Sequence, residues 1–124
     1  MNGTYIMEGK VTFVEERLIY LATPYGGYKG SREEAYRLAC LKAAELMDQG
    51  YLVFSPIAHS HSIDIETGNY RDPKFWLRQD FAILACCDEL WIYKLPGWDT
   101  SYGVAEEIKF AKACGIFVKE IEYA

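Results

Sequence analysis

Four short runs rich in apolar residues, separated by longer segments with helical spacing, constrain this chain more than any other feature. The runs are Arg17–Thr23 (RLIYLAT), Tyr51–Ser55 (YLVFS), Glu89–Leu95 (ELWIYKL) and Ile116–Ile121 (IFVKEI). The first is almost continuously apolar, as expected of a strand covered on both faces. Between the runs lie helix signals. Ser31 and Glu34 form a capping box ahead of a helix ending near Gly50. Asp72-Pro73 opens a second helix, predicted over 72–87, and Thr100 to Gly115 reads as a third. The order strand, helix, strand, helix, strand, helix, strand predicts a small α/β fold, a doubly wound parallel sheet of four to five strands. The 124 residues form one domain, 1–124. Residues 1–16 stand outside the alternation and suggest a peripheral strand or hairpin around Lys10–Glu15. The stretch from Pro56 to Arg71, rich in Ser, His and Asp, reads as a loop.

Two acids then break the hydrophobic pattern. Val104, Ile108 and Ala111 make one apolar face of the third helix, and Glu107 falls on it, three residues after Val104 and four before Ala111. Glu106 projects away, toward the side of Lys109 and Lys112. An early end to the stripe would leave Glu107 in water. Asp80 repeats the anomaly, lying at helical spacing between Trp76 and Ile83/Leu84 on a largely apolar helix. A carboxylate on a buried face costs free energy unless it is paired or used. Two on successive helices point to a pair converging on one pocket, where their environments can push their pKa values apart.

Composition narrows the partners. The formal charge is −5 with no basic cluster, which argues against a nucleic-acid duplex but not against a small phosphorylated molecule. A hydrophobic share of 51% argues against disorder. The apolar runs are far shorter than a membrane span and no signal-peptide pattern opens the chain, so a cytoplasmic protein is expected. Cys40, Cys86, Cys87 and Cys114 fall within the expected helices, without zinc-type spacing, and read as buried thiols. His59 and His61 stand at i, i+2 with only Asp64 nearby as a third ligand. A structural or substrate-contacting role is therefore expected, with no metal.

In doubly wound folds ligands bind beyond the carboxyl ends of the strands, where the strand order reverses. The first and third strands would flank that point, placing Pro24–Gly30 and Pro96–Gly103 around the crevice. The glycines of ATPYGGYKG allow close backbone approach to a ligand, although neither dinucleotide nor Walker spacing is present. Tyr25 and Tyr28 could stack on a base or close the loop. Asp99-Thr-Ser101 can cap the third helix and, at its N-terminus, also hold an anion.

The stretch Gly103-Val-Ala-Glu-Glu107-Ile-x-x-Ala111 resembles the nucleophile motif of the nucleoside 2-deoxyribosyltransferase superfamily, with a Gly four residues before the glutamate and an Ala four after it. Gln79-Asp80-x-x-Ile83, followed by Asp88, is similar to that family's helix carrying a catalytic aspartate. Tyr20-Leu-Ala-Thr-Pro24 is similar to its first strand and base-binding loop. Val53–Ser55, Ser60–Ile63 and Leu95–Trp98 resemble small bacterial and phage branches of unknown function. The resemblance implies a Rossmann- or flavodoxin-like homo-oligomer, a dimer or tetramer whose subunits complete each other's sites; Trp76, Trp91 and Trp98 would suit such an interface and equally the core. It needs no cofactor. It implies cleavage or transfer at the N-glycosidic bond of a deoxynucleoside or its 5′-monophosphate. Glu107 would be the nucleophile and Asp80 the acid for the leaving base. Thr23, Tyr25, Gly26, Ser101, Gly103, His61 and Trp98 would surround the substrate. The transferases often carry an aspartate where this chain has Ser101, and a monophosphate glycosidase branch has a serine there, so Ser101 implies a nucleotide. A related phage branch binds cyclic or signalling nucleotides without turnover, which gives the alternative of a nucleotide sponge.

Overall fold

The computed structural model describes residues 2–7 and 10–124, with side chains from residue 16 onward. Strands β1 (Asn2–Met7) and β2 (Lys10–Glu15) pair antiparallel as a separate two-stranded sheet, Asn2 opposite Glu15 and Met7 opposite Lys10. The main sheet contains β3 (Leu18–Ala22), β4 (Leu52–Phe54), β5 (Glu89–Tyr93) and β6 (Phe117–Ile121). All its pairings are parallel, in the order β4-β3-β5-β6. Helix α1 (Arg32–Asp48) follows β3 and α4 (Tyr102–Ala113) follows β5. The fold is a single-domain α/β fold with a small parallel sheet.

One expectation fails here. The segment after β4 is not a loop but helix α2 (Pro56–Thr67), followed by α3 (Pro73–Leu84), so two helices bridge β4 and β5. Ser55 accepts a hydrogen bond from the Ala58 amide at 3.2 Å, Pro56 occupies the first helical turn, and Gly68 closes the helix at φ +66°. A missing proline N–H costs nothing in a first turn, and glycine enters the left-handed region without a side-chain clash. The interior of α2 is made of Ser, His, Asp and Ile, weak helix formers. Its existence rests on its caps and on packing.

Strand alternation divides the core between the two sheet faces. Ile19, Leu21, Trp91 and Tyr93 pack with Ala43 and Leu46 of α1. Tyr20, Ala22, Leu90 and Ile92 point the other way, against Leu84 of α3 and Val104 and Ala111 of α4. Each of these large apolar side chains contributes roughly 1.5–3 kcal/mol when fully buried. The same alternation aims the Tyr20 side chain at α4.

One open alternative is decided and one expectation is corrected. Trp91 is buried, with Lys119 Nζ 4.4 Å over its ring and its Nε1 donating to Glu89 at 3.0 Å, while Trp76 and Trp98 are half-buried. Only Cys87 of the four thiols is buried; Cys40 is half-buried, and Cys86 and Cys114 are exposed. No helix among the described residues is long and apolar enough to cross a membrane.

Candidate functional site

The strand order reverses between β3 and β5, because the chain leaves β3 for β4 on one side and returns to β5 on the other. A cleft of about 340 Å³ opens there, at the carboxyl ends of these strands. Thr23, Tyr25 and Gly26 line it from the loop after β3; Ser101 and Gly103 line it from the start of α4. Two glycines let these loops meet. A Cβ on Gly27 would stand 3.1 Å from the Ser101 Cα, and one on Gly97 would collide with the Gly27 carbonyl. Gly97 also takes φ +95°, which other residues resist.

Asp80 and Glu107 both face this cleft. Leu77, Asp80 and Leu84 form the buried face of α3, and Val104, Glu107 and Ala111 that of α4. Asp80 is 5% exposed and Glu107 4%. The Tyr20 hydroxyl donates a short hydrogen bond to Glu107 Oε2, whereas Asp80 Oδ1 has no partner among the described residues. Burial pushes the Asp80 carboxyl up to about 7. It pushes Glu107 up to about 8; the Tyr20 hydrogen bond opposes this and the charge of Asp80 adds to it. Burial also raises the Tyr20 phenol well above its ordinary value, with the Glu107 charge next. Tyr20 therefore keeps its proton and acts as a donor to Glu107. The sequence carried a signal for it, a tyrosine in a buried strand whose hydroxyl needs a partner.

Other polar groups complete the walls. Thr23 Oγ1 is buried without a partner among the described residues. Ser101 Oγ accepts from the Val104 amide at 3.3 Å, which caps α4 and leaves the hydroxyl proton free to donate. Arg32, in the first turn of α1, lies 4.4 Å over the Tyr70 ring and 5.7 Å from that of Tyr25. Among the described residues lining the cleft it is the cation with no ion pair. Arg71, the other arginine of the cleft, is 2.7 Å from Asp64 Oδ1, and Trp76 Nε1 donates to Asp64 Oδ2 at 3.0 Å. Arg32, Tyr70, Arg71 and the role of Asp64 escaped the sequence reading, since the partners meet only once α2 and α3 have folded.

His61 and Trp98 do not line the cleft. His61 is buried behind it, 2.6 Å from the Tyr25 hydroxyl and 3.1 Å from Glu33. Trp98 packs against the core, with Lys94 Nζ 5.6 Å over its ring. On a helix, residues two apart point about 200° away from each other. His59 is accordingly exposed while His61 is buried, and the two do not chelate one ion. No group of three His, Cys, Asp or Glu able to hold a metal occurs among the described residues. Asp88 accepts from the Leu18 amide at 2.7 Å, tying the turn before β5 to the start of β3.

A parallel α/β sheet with a cleft at its switch point and two buried carboxylates facing it describes this class of molecule. The chain belongs to the family described as a domain of unknown function (DUF1937), whose model matches residues 17–123. No curated protein matches it.

Proposed function

We propose that this cleft cleaves, or transfers at, the N-glycosidic bond of a deoxynucleoside or its 5′-monophosphate. The observation carrying this reading is the pair Asp80 and Glu107, buried on successive helices and facing one cleft, the first unpartnered at Oδ1 and the second held by Tyr20. In the active form Asp80 carries a proton and Glu107 does not. Glu107 attacks the anomeric carbon, the bond to the base breaks, and the base nitrogen takes the Asp80 proton. Water or a second base then displaces Glu107 from the sugar, and Asp80 recovers its proton from the incoming nucleophile. Donation from Tyr20 favours the charged form of Glu107, but burial outweighs it in the empty cleft, so substrate binding has to draw the pair into this distribution.

The carboxyls near 7 and 8 titrate as a coupled pair, so the pH profile is a bell whose two limbs belong to the pair rather than to either residue. Arg32 and the free proton of Ser101 suit a 5′-phosphate, and the surrounding tyrosines and Trp76 suit a base. Tyr70 and Tyr102 are 44% and 51% exposed at the cleft, which supports a homo-oligomer whose neighbouring copy covers the rim.

Chromatography of deoxynucleosides and their monophosphates after incubation with wild type and Glu107→Ala tests the reading. Free base is expected with wild type alone, and intact substrates throughout would sink it. A second reading has its own support. Burial holds Glu107 protonated near neutral pH in the empty cleft, which suits a sponge that retains cyclic or signalling nucleotides without attacking them. Binding without turnover would favour that reading.

A further inference from the structure

We propose that Glu33, acting through His61, fixes Tyr25 as a hydrogen-bond acceptor toward the cleft, so that the site selects ligands presenting an N–H or O–H donor to that wall. This deepens the nucleotide reading of the same cleft and rests on it for the ligand class. The hydrogen-bond polarity itself does not depend on that reading.

The chain of contacts starts at the surface. Glu33, in the first turn of α1, keeps 67% of its side chain exposed and places Oε1 3.1 Å from His61 Nε2. A carboxylate can only accept, so Nε2 carries the hydrogen. Under this proposal the ring carries that one proton only, which leaves Nδ1 as an acceptor, and the group facing it at 2.6 Å is the Tyr25 hydroxyl. Burial pushes the Tyr25 phenol up to about 12, so its proton stays on and is the one that bridges to Nδ1. With that proton committed, Tyr25 has only oxygen lone pairs left for a third partner.

Packing holds the ring in place. His61 is 2% exposed. Its ring is stacked on Tyr36 at 4.4 Å and 28°, and meets the Tyr25 ring edge-on at 5.5 Å. The imidazole plane is thereby held. Tyr25 lines the cleft while His61 and Glu33 do not, so both act as positioning residues. The contrast with Thr23 is informative: its hydroxyl, unpartnered among the described residues, can turn to donate or accept. Tyr25 cannot. An acceptor placed against it leaves two oxygens facing each other unsatisfied, a mismatch worth on the order of tenfold in affinity.

Two measurements on the whole protein test this. The first is the ¹⁵N spectrum of the His61 ring in wild type and in Glu33→Lys. Wild type should show a protonated Nε2 and an accepting Nδ1. An ammonium at position 33 can only donate, so E33K should move the proton to Nδ1 and release the Tyr25 hydrogen toward the cleft. The second is affinity for two matched pairs of monophosphates. One pair is deoxyadenosine and its analogue lacking the 6-amino group; the other differs by a 3′-hydroxyl against a 3′-methoxy. Wild type should favour the donor-bearing member of at least one pair by about tenfold, and E33K and Tyr25→Phe should each remove that preference. A wild-type Nδ1–H, or bound ligands with no preference in either pair, would overturn the proposal. If no monophosphate binds, the nucleotide reading fails, and the ring spectra still decide the polarity of Tyr25.

Discussion

Asp64 and Asp80 face the same cleft from α2 and α3, and both are almost fully buried, yet they live in different surroundings. Asp64 meets Arg71 through one oxygen and the Trp76 indole through the other. Asp80 has an oxygen with no partner among the described residues and a carboxyl pushed up to about 7 by burial. A buried acid with its hydrogen bonds filled ties elements together, here α2, the following turn and α3. A buried acid left short of partners is costly to hold and has capacity left for a ligand. The comparison separates the cleft's framework from its chemistry better than burial or residue type does.

Replacing Asp80 breaks the comparison most sharply. Asp80→Asn keeps the shape of the side chain but cannot deliver a proton to a leaving base. Base release measured in single turnovers should fall on the order of 10²–10⁴-fold, the usual range for a general acid. Unchanged release would remove Asp80 from the mechanism. Asp64→Ala works on the other member. It strands the Arg71 guanidinium and the Trp76 N–H, and should cost about 2–3 kcal/mol in denaturant unfolding. That is the lower side of what breaking a buried pair costs, because Arg71 stays 24% exposed. A midpoint equal to wild type would show that Asp64 is not part of the framework.

Asp80 was legible in the sequence and the role of Asp64 was not, for a physical reason. Asp80 and Glu107 interrupt apolar stripes of helical period, so their misplacement shows before any partner is known. The face of α2 that turns inward is itself polar, with Ser60, His61 and Asp64 buried, and a polar acid on a polar stripe raises no alarm. The parallel sheet, and a cleft between its first and third strands, followed from the alternation of strands and helices, because crossover geometry leaves few topologies. Helix α2 was missed although Ser55-Pro56 repeats the capping signal of Asp72-Pro73. Its composition favoured a loop, and tertiary packing overrode that preference. His61 was read as a substrate contact and stands one layer behind, since its partners Glu33 and Tyr36 lie far from it along the chain.

The smallest predicted effect sharpens the comparison through pH. The Asp80 carboxyl titrates near 7 in the folded chain and near 3.8 when unperturbed. Between these values the folded protein binds a proton that the unfolded chain has released, so stability falls as pH rises across that window. The stabilising contribution of the neutral acid is full below about pH 4 and lost by about pH 7. Asparagine mimics the neutral acid and does not titrate. Asp80→Asn should therefore match wild type near pH 4 and become the more stable protein above about pH 7, by on the order of 2 kcal/mol. That is about half of what the full displacement from 3.8 to about 7 implies, because Glu107 shares the titration. Thermal unfolding of both proteins across this range reads the gap directly. Parallel curves would mean that Asp80 is satisfied in solution, by water or by a neighbouring copy, and that it resembles Asp64 after all.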